Sequence, residues 1–438
     1  MENHLSGTLA LALLTLFFAR LAGISALIAS IRARLIVGKR APQEPGTRDI
    51  KWPSVCVVVP AFNEEKVVAA TIRSLLKTHY PRLEILVIDD GSSDRTSDIV
   101  GAIAADHGRV GLVALHQNVG KARALNAGVR AARSECIVTV DADTVVAPDF
   151  LHRIVTPIVL GHADAVAGNV KVGNRQCLKC TFQSLEYTCT LSTSRTFQSC
   201  CDAITTLPGV GSAFRKTALI AAGGFTPRTR AEDTDLSFEL ARSRFRRVYQ
   251  PLAVAYTEAP ITWRSLLQQR VRWIYGNMQC AALHLGQLRS CNAMSLLGLP
   301  QFIFENFLAV PLKFLFIVFP FFFIRDAIFS RLLLLYGACI TLDWIGVALI
   351  YWHEKERKIE ILYVPLKWCI WPVFMMAPYL VALWHFVWRR GVSWNKLERS
   401  AQVARKAGSL TAPRGLGADE TRQIRSRRSM PGRRPGNG

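Results

Sequence analysis

Apolar positions along the chain fall into two patterns. Four long runs, Leu9–Ile31, Phe302–Ile324, Leu332–Trp352 and Val364–Trp388, each reach or exceed the roughly 20 residues that a helix needs to cross a bilayer core. Between residues 50 and 290 the apolar runs are short and alternate with stretches of helical periodicity. Ser54–Pro60 is continuous and Val-rich, as a strand buried on both faces is. Lys66–Lys77 predicts a helix, Glu84–Asp89 a strand, and Asp94–Ala105 a helix with Asp94 near its cap. Gly111–His116 predicts a third strand, Lys121–Ala132 a helix and Cys136–Val140 a fourth strand. Alternating β and α predicts an α/β domain, a mostly parallel sheet with helices on both faces.

Such sheets bind ligands at the carboxyl ends of their strands. The first strand ends in Pro60-Ala61-Phe62-Asn63-Glu64-Glu65, the second in Asp89-Asp90-Gly91-Ser92-Ser93-Asp94 and the fourth in Asp141-Ala142-Asp143. Three strand ends thus deliver carboxylates to one edge. No Gly-x-Gly-x-x-Gly follows the first strand, which disfavours a dinucleotide site. In an extended segment residues two apart point the same way. Asp141 and Asp143 are therefore candidates to hold a hard divalent cation, Mg²⁺ or Mn²⁺, with positions left for phosphate oxygens. Alone, Asp-x-Asp is as often a solvated turn; its place at the end of a buried strand is what favours the metal.

Charge adds the membrane side of the picture. The 438 residues carry 54 Lys and Arg against 32 Asp and Glu, net +22, and half are hydrophobic. That composition excludes wholesale disorder. Arg32, Arg34, Lys39 and Arg40 follow the first long run, which places residue 32 onward on the cytoplasmic side of a cell membrane. Residues 389–438 hold 13 Lys and Arg against 3 Asp and Glu, a second cytoplasmic signal attracted to anionic lipid. One early and three late spans would put that tail outside, so one late run is interfacial or re-entrant, and Phe302–Ile324, interrupted by Glu305, Asn306, Pro311 and Lys313, is the weakest. With no nucleic-acid motif and the charge beside spans, nucleic acid is not expected as a partner. Cys177-x-x-Cys180 lacks a second half-site at finger spacing, so Cys177, Cys180, Cys189, Cys200 and Cys201 read as free thiols.

With these residues assembled, the chain resembles the family 2 inverting glycosyltransferases of the membrane-bound, polysaccharide-synthase type. Pro60-Ala61-Phe62-Asn63-Glu64 resembles the family's opening motif, Asp89-Asp90-Gly91-Ser92 its nucleotide-binding acidic turn, Asn118-Val119-Gly120-Lys121 its Asn-x-Gly-Lys segment and Asp141-Ala142-Asp143 its metal motif. Glu232-Asp233 resembles Thr-Glu-Asp with Ala231 in place of Thr, and Gln269-Arg270-Val271-Arg272-Trp273 fits Gln-x-x-Arg-Trp, which accompanies processive synthases. The flanking spans and Trp394-Asn395-Lys396-Leu397-Glu398-Arg399 resemble the bacterial poly-N-acetylglucosamine synthase branch.

The resemblance implies a GT-A domain and a set of roles. Asp233 is the base, beside Glu232; Asp235 is close enough in sequence to raise its pKa as well, although acids also favour a helix N-terminus and would open a helix Leu236–Arg244. Glu64 and Asp90 contact the nucleotide near Pro60, with Asp89 as the alternative to its neighbour. Lys121 offers a cation there, or is a solvated helix start. Arg272 stabilises the departing diphosphate and Gln269 joins the nucleotide-sugar site. Trp273 stacks on the acceptor or anchors at the interface. Gly209 and Gly211 belong to a segment, Thr206 to Arg215, that resembles the acceptor-side loop. Behind Pro260, with Thr262 as candidate cap, the Gln269 segment reads as an amphipathic helix lying at the bilayer interface on Leu267, Val271 and Ile274.

The organisation expected is a span and basic flank over 1–40, the GT-A domain over 50–255, interfacial helices over 256–298, a transmembrane region over 299–390 with Glu305, Asn306 and Asp343 as candidate path-lining residues, and a basic tail over 391–438. The function expected is transfer of a sugar from a UDP-sugar, with UDP-N-acetylglucosamine favoured, to a growing β-linked polysaccharide. Transfer of one sugar to a membrane lipid is the second reading, and an inactive membrane scaffold is the third. Nothing in the sequence names a partner subunit.

Overall fold

The computed structural model describes residues 51–318, 327–354, 356–391 and 401–406. The Leu9–Ile31 run and the end of the basic tail lie outside them. An eight-stranded sheet organises the rest, in the order β3-β2-β1-β4-β7-β6-β8-β5. β1 (Val55–Ala61), β2 (Leu83–Asp89), β3 (Val110–Ala114) and β4 (Cys136–Thr139) are the four strands expected from the sequence. They pair in parallel, with β1 between β2 and β4. Alternate residues of β1 supply two different cores: Val55, Val57 and Val59 pack on one face, Cys56 and Val58 on the other. This two-sided burial is why the strand reads as a continuous apolar run.

Beyond β4 the sheet is mixed. β5 (Val145–Val146), β6 (Ala165–Val172), β7 (Ser212–Arg215) and β8 (Arg247–Thr257) follow. β7 runs antiparallel to both β4 and β6, while β6 and β8 are parallel. All three α/β helices expected from periodicity form, over Val68–Leu76, Thr96–Asp106 and Lys121–Ala131. Asp94 Oδ1 accepts from the Thr96 amide at 3.0 Å, next to the start of the second.

Among the described residues, three helical stretches are long and apolar enough to cross a membrane: Met294–Val318, Leu333–Trp352 and Lys358–Val387. They correspond to the three late apolar runs, the first displaced towards the N-terminus. Their surfaces expose Leu296, Leu334, Trp352 and Val387, a greasy exterior suited to lipid.

The Trp263–His284 helix begins as expected, with the Thr262 hydroxyl accepting from the Ser265 amide at 3.1 Å. Its apolar face meets another helix. Leu267, Val271 and Ile274 pack with Tyr379, Ala382 and Met375 of the Val364–Val387 helix. Basic amphipathicity beside spans has two solutions, lipid or another helix, and here helix packing takes the face.

Candidate active site

A cavity of about 740 Å³ opens where β1, β2 and β4 end. Three loops build its first wall. Asn63 sits at φ 54° and its Oδ1 accepts from the Ser93 amide at 2.7 Å, tying the end of β1 to the acidic turn after β2. Asp90 accepts from the amides of Val119 at 2.7 Å and Gly120 at 2.9 Å, tying that turn to the loop before the Lys121–Ala131 helix. Gly91 makes the closure possible: its φ is +72°, and a Cβ there would come 2.7 Å from the Asn118 amide nitrogen.

Pro60, Glu64, Asp90 and Lys121 face the cavity from this wall. Burial pushes the Asp90 carboxyl above the ordinary range, against the pull of the two amides. Asp89 is not on the wall. Its Oδ1 accepts from the Ser92 amide at 3.0 Å and its Oδ2 from the Ser97 hydroxyl, so it holds its own turn. Of the two neighbours, Asp90 is the one that faces the cavity.

Asp141 and Asp143 both face the cavity. Asp141 Oδ1 lies 2.7 Å from Lys121 Nζ, which also approaches Glu232 Oε1 at 3.5 Å. Burial pulls the Lys121 ammonium down, but Asp141, Glu232 and Asp233 push it up further, so it remains charged. The two aspartates offer only oxygen donors, which fits a hard divalent cation. A different set converges elsewhere: the ligand atoms of Asp235, Glu239 and His284 lie within 4.8 Å of one another. The Arg228 guanidinium occupies that cluster, with two 2.8 Å bonds to Asp235 and one of 2.5 Å to Glu239. It is a buried ion network away from the cavity wall.

Asp233 and Glu232 begin the Glu232–Arg242 helix, one turn earlier than the sequence suggests. Asp233 accepts from the Thr234 amide at 2.8 Å and from the Gly209 amide at 3.3 Å. Burial first, and then the Glu232 charge, push its carboxyl up to about 6, against the Lys121 cation. Asp235 contributes differently from expectation. It turns away into the Arg228 network, and although burial opposes it, hydrogen bonds from His284, Arg228 and Thr226 pull its carboxyl down to about 2. Residues two apart on a helix do not share a face.

The acceptor-side loop splits. Gly209 lies on the wall, and a Cβ there would stand 2.9 Å from Lys121 Nζ. Gly211 is not on the wall; it packs towards Phe150 and Ala255.

Gln269, Arg272 and Trp273 all face the cavity. Gln269 is buried, and among the described residues its Oε1 has no hydrogen-bond partner. Arg270, which the sequence reading left without a role, is more deeply placed. Glu186 grips its guanidinium at 2.6 and 3.1 Å, and the guanidinium lies 4.7 Å from the Trp273 ring centre and 5.4 Å from that of Trp371. Trp273 also meets Tyr187. It is thus held from behind by a cation–π contact. Glu186 and Tyr187 lie in a π-helical turn, Glu186–Leu191, which no periodicity signals. The wall then continues onto the span-like helices through Glu305, Asn306, Lys313 and Met375. Asp343 is not on it, and accepts instead from the Trp368 indole N–H.

Comparison with known proteins bears on the fold and the family. Residues 56–222 match the family described as Glycosyl transferase family 2. Those residues carry the likeness to a family 2 glycosyltransferase domain. The chain is similar to the poly-beta-1,6-N-acetyl-D-glucosamine synthase of Staphylococcus aureus (strain COL), 30% identical over 226 residues, 51% of this chain and 54% of that protein. The Staphylococcus epidermidis protein of the same name is 33% identical over 223 residues, with the same coverage. The chain thus spans about half the length of the curated relatives it matches. In fold it is similar to a mannosyltransferase from Pyrobaculum calidifontis in complex with GDP-Man and Mn²⁺, with TM-score 0.57, 22% identity, and coverage of 87% of this chain and 99% of that one. The expected α/β, GT-A-like class with apolar helical segments holds.

One helix contact in this glycosyltransferase domain predicts a measurable effect. A Cβ on Gly276 would lie 2.8 Å from backbone atoms of Arg230 and Ala231, just before the Asp233 helix. Backbone cannot swing aside as a side-chain tip does. Gly276→Ala should cost about 1–3 kcal/mol in stability and lower kcat more than it changes nucleotide affinity, checked by thermal melting and steady-state kinetics.

Proposed function

We propose that the protein transfers a sugar from a UDP-sugar, with UDP-N-acetylglucosamine the favoured donor, to a growing β-linked polysaccharide, with inversion at the anomeric carbon. The observation that carries this reading is Asp233: a carboxylate pushed up to about 6, on a cavity that joins the acidic strand ends to the span-like helices. A base matched to neutral pH takes the proton of the acceptor hydroxyl. That oxygen then bonds to the anomeric carbon as the bond to the diphosphate oxygen breaks, and UDP leaves. Glu64 and Asp90 hold the nucleotide, and Gln269 and Arg272 reach the diphosphate from the opposite wall. Asp141 and Asp143 would hold a divalent cation, Mg²⁺ or Mn²⁺, which when bound supplies positive charge to the leaving diphosphate. Lys121 and Arg272 supply charge of this chain's own, while Gly209 brings an amide to Asp233. Trp273 offers a flat apolar face to the acceptor sugar.

The three apolar helices support a place in the cell membrane, with the catalytic domain on the cytoplasmic side that the basic segments favour. A lipid acceptor is the second reading, because Ala309, Val310 and Met375 make part of the cavity wall apolar. The test uses the protein in nanodiscs with Mg²⁺ or Mn²⁺ and labelled UDP-N-acetylglucosamine, UDP-glucose and UDP-glucuronate offered separately. A polymer ladder from one donor supports the synthase. A lipid carrying one sugar moves the assignment to the lipid transferase, and no incorporation with no UDP bound leaves a scaffold.

A further inference from the structure

Arg195 lies on the Ser192–Cys200 helix, which follows the π-helical turn directly. It is 9% exposed and faces the cavity with Ser194 and Gln198 of the same helix. Among the described residues, and unlike Arg175, Arg228 and Arg270, it makes no hydrogen bond and no salt bridge. The groups that face it electrostatically are Tyr249, Asp233 and Tyr187. Burial pulls its pKa down.

Such a group is costly. Burying a cation carries a penalty of several kcal/mol, which a partner normally offsets. A guanidinium offers five donors in a rigid fork. Here they line a cavity shared with the proposed base and with Tyr187, whose ring meets Trp273 with centres 6.3 Å apart. Trp273, the aromatic face available to an acceptor, lines the same cavity as Arg195, Asp233 and Tyr187.

We propose that Arg195 is an acceptor-binding residue, its guanidinium donating to the ring-substituent oxygens of an acceptor sugar whose apolar face lies on Trp273. Ser194 and Gln198, one and three residues on either side along the same helix, line the same subsite. A sugar bound there has an aromatic face on one side and planar donors on the other, and its terminal hydroxyl is directed to Asp233. This inference rests on the glycan-acceptor reading of the site.

The test uses the full chain in nanodiscs with UDP-N-acetylglucosamine and short β-linked N-acetylglucosamine oligomers as acceptors. Arg195→Ala, Arg195→Gln and Arg195→Lys are compared for acceptor KM, for kcat and, by calorimetry, for UDP affinity. The expected result is an acceptor KM raised about tenfold or more in Arg195→Ala and Arg195→Gln, which loses one charged hydrogen-bonding group. Arg195→Lys recovers part of the loss. UDP affinity stays within about twofold, which also shows that the variants fold. Loss of UDP affinity in folded Arg195→Gln would move the residue to the donor side and overturn the proposal, as would unchanged acceptor kinetics in an active enzyme. A wild type that binds UDP yet elongates no oligomer sinks the glycan-acceptor reading and this inference together; an active wild type with an indifferent Arg195→Ala sinks this inference alone.

Discussion

Asp233→Asn should abolish sugar transfer, lowering kcat by about 10²–10⁴-fold, the range for a lost general base, while UDP affinity changes by no more than a few fold. The side chain keeps its size and its Oδ1 can still accept from the Thr234 amide, while the longer 3.3 Å bond from the Gly209 amide to Oδ2 is lost with that oxygen, so the main loss is of basicity. In the wild type, kcat/KM should fall about tenfold per pH unit below an apparent value near 6, because a protonated Asp233 cannot take the acceptor proton. Stability should move the other way. The folded-state pKa is raised, so the native protein binds more protons than the unfolded chain between the ordinary carboxylate range and about 6. Stability therefore falls as pH rises through that window, and the ionised base is a net cost at neutral pH. Asp233→Asn should melt no lower than wild type at pH 7.5, with a gain on the order of 1 kcal/mol. Residual transfer within about tenfold of wild type would contradict the base assignment.

The largest loss of stability should come from Lys171→Met. Lys171 is fully buried on β6, with its ammonium 2.8 Å from Glu354 and 2.6 Å from Glu356. Arg175 adds contacts of 2.6 Å to Glu356 and 3.3 Å to Glu360. These acids stand between and at the start of the last two span-like helices, so the network joins the glycosyltransferase sheet to them. Removing Lys171 leaves three buried carboxylates against one guanidinium, an uncompensated charge worth about 3–5 kcal/mol. Adding Glu354→Gln and Glu356→Gln should restore much of it, since a neutral hydrogen-bonded cluster escapes the charge penalty. Burial alone would raise the Glu356 carboxyl, but Lys171 and Arg175 hold it below its ordinary value. Its contribution is thus present above the unfolded-chain carboxylate range and lost as pH falls through the lowered folded value. Thermal melting in nanodiscs across pH checks this: Lys171→Met should flatten the acid dependence as well as lower the midpoint. A variant melting like wild type would show that the network is stabilised from elsewhere.

Local pattern reached a long way into this protein. The first four strands, the helices between them and the three late apolar helices follow from periodicity alone, because burial on two faces, on one stripe or in lipid each leaves its own spacing. The polar residues at the strand ends followed too, since a parallel sheet fixes where its ends lie. Most of the candidate side chains do share one cavity wall, Asp89, Gly211 and Asp343 being the exceptions. Neighbours in sequence, such as Asp89 and Asp90, could be told apart only by the loops that close on them.

Tertiary structure decided what depends on distant partners. β7 enters the sheet against β4 and reverses the chain direction, which a short run such as Ser212–Arg215 does not announce. Asp235 became a structural anion because Arg228 and His284 converge on it, and Arg270 became the support of Trp273 because Glu186 arrives from a π-helical turn. Leu267, Val271 and Ile274 met the Val364–Val387 helix. Arg195, plain in the sequence, stands out only when the fold buries it beside Asp233. Spacing encodes which face a residue occupies, because that is a property of one segment; which charge meets which is a property of two segments brought together by packing, and it is there that the chemistry of this site was settled.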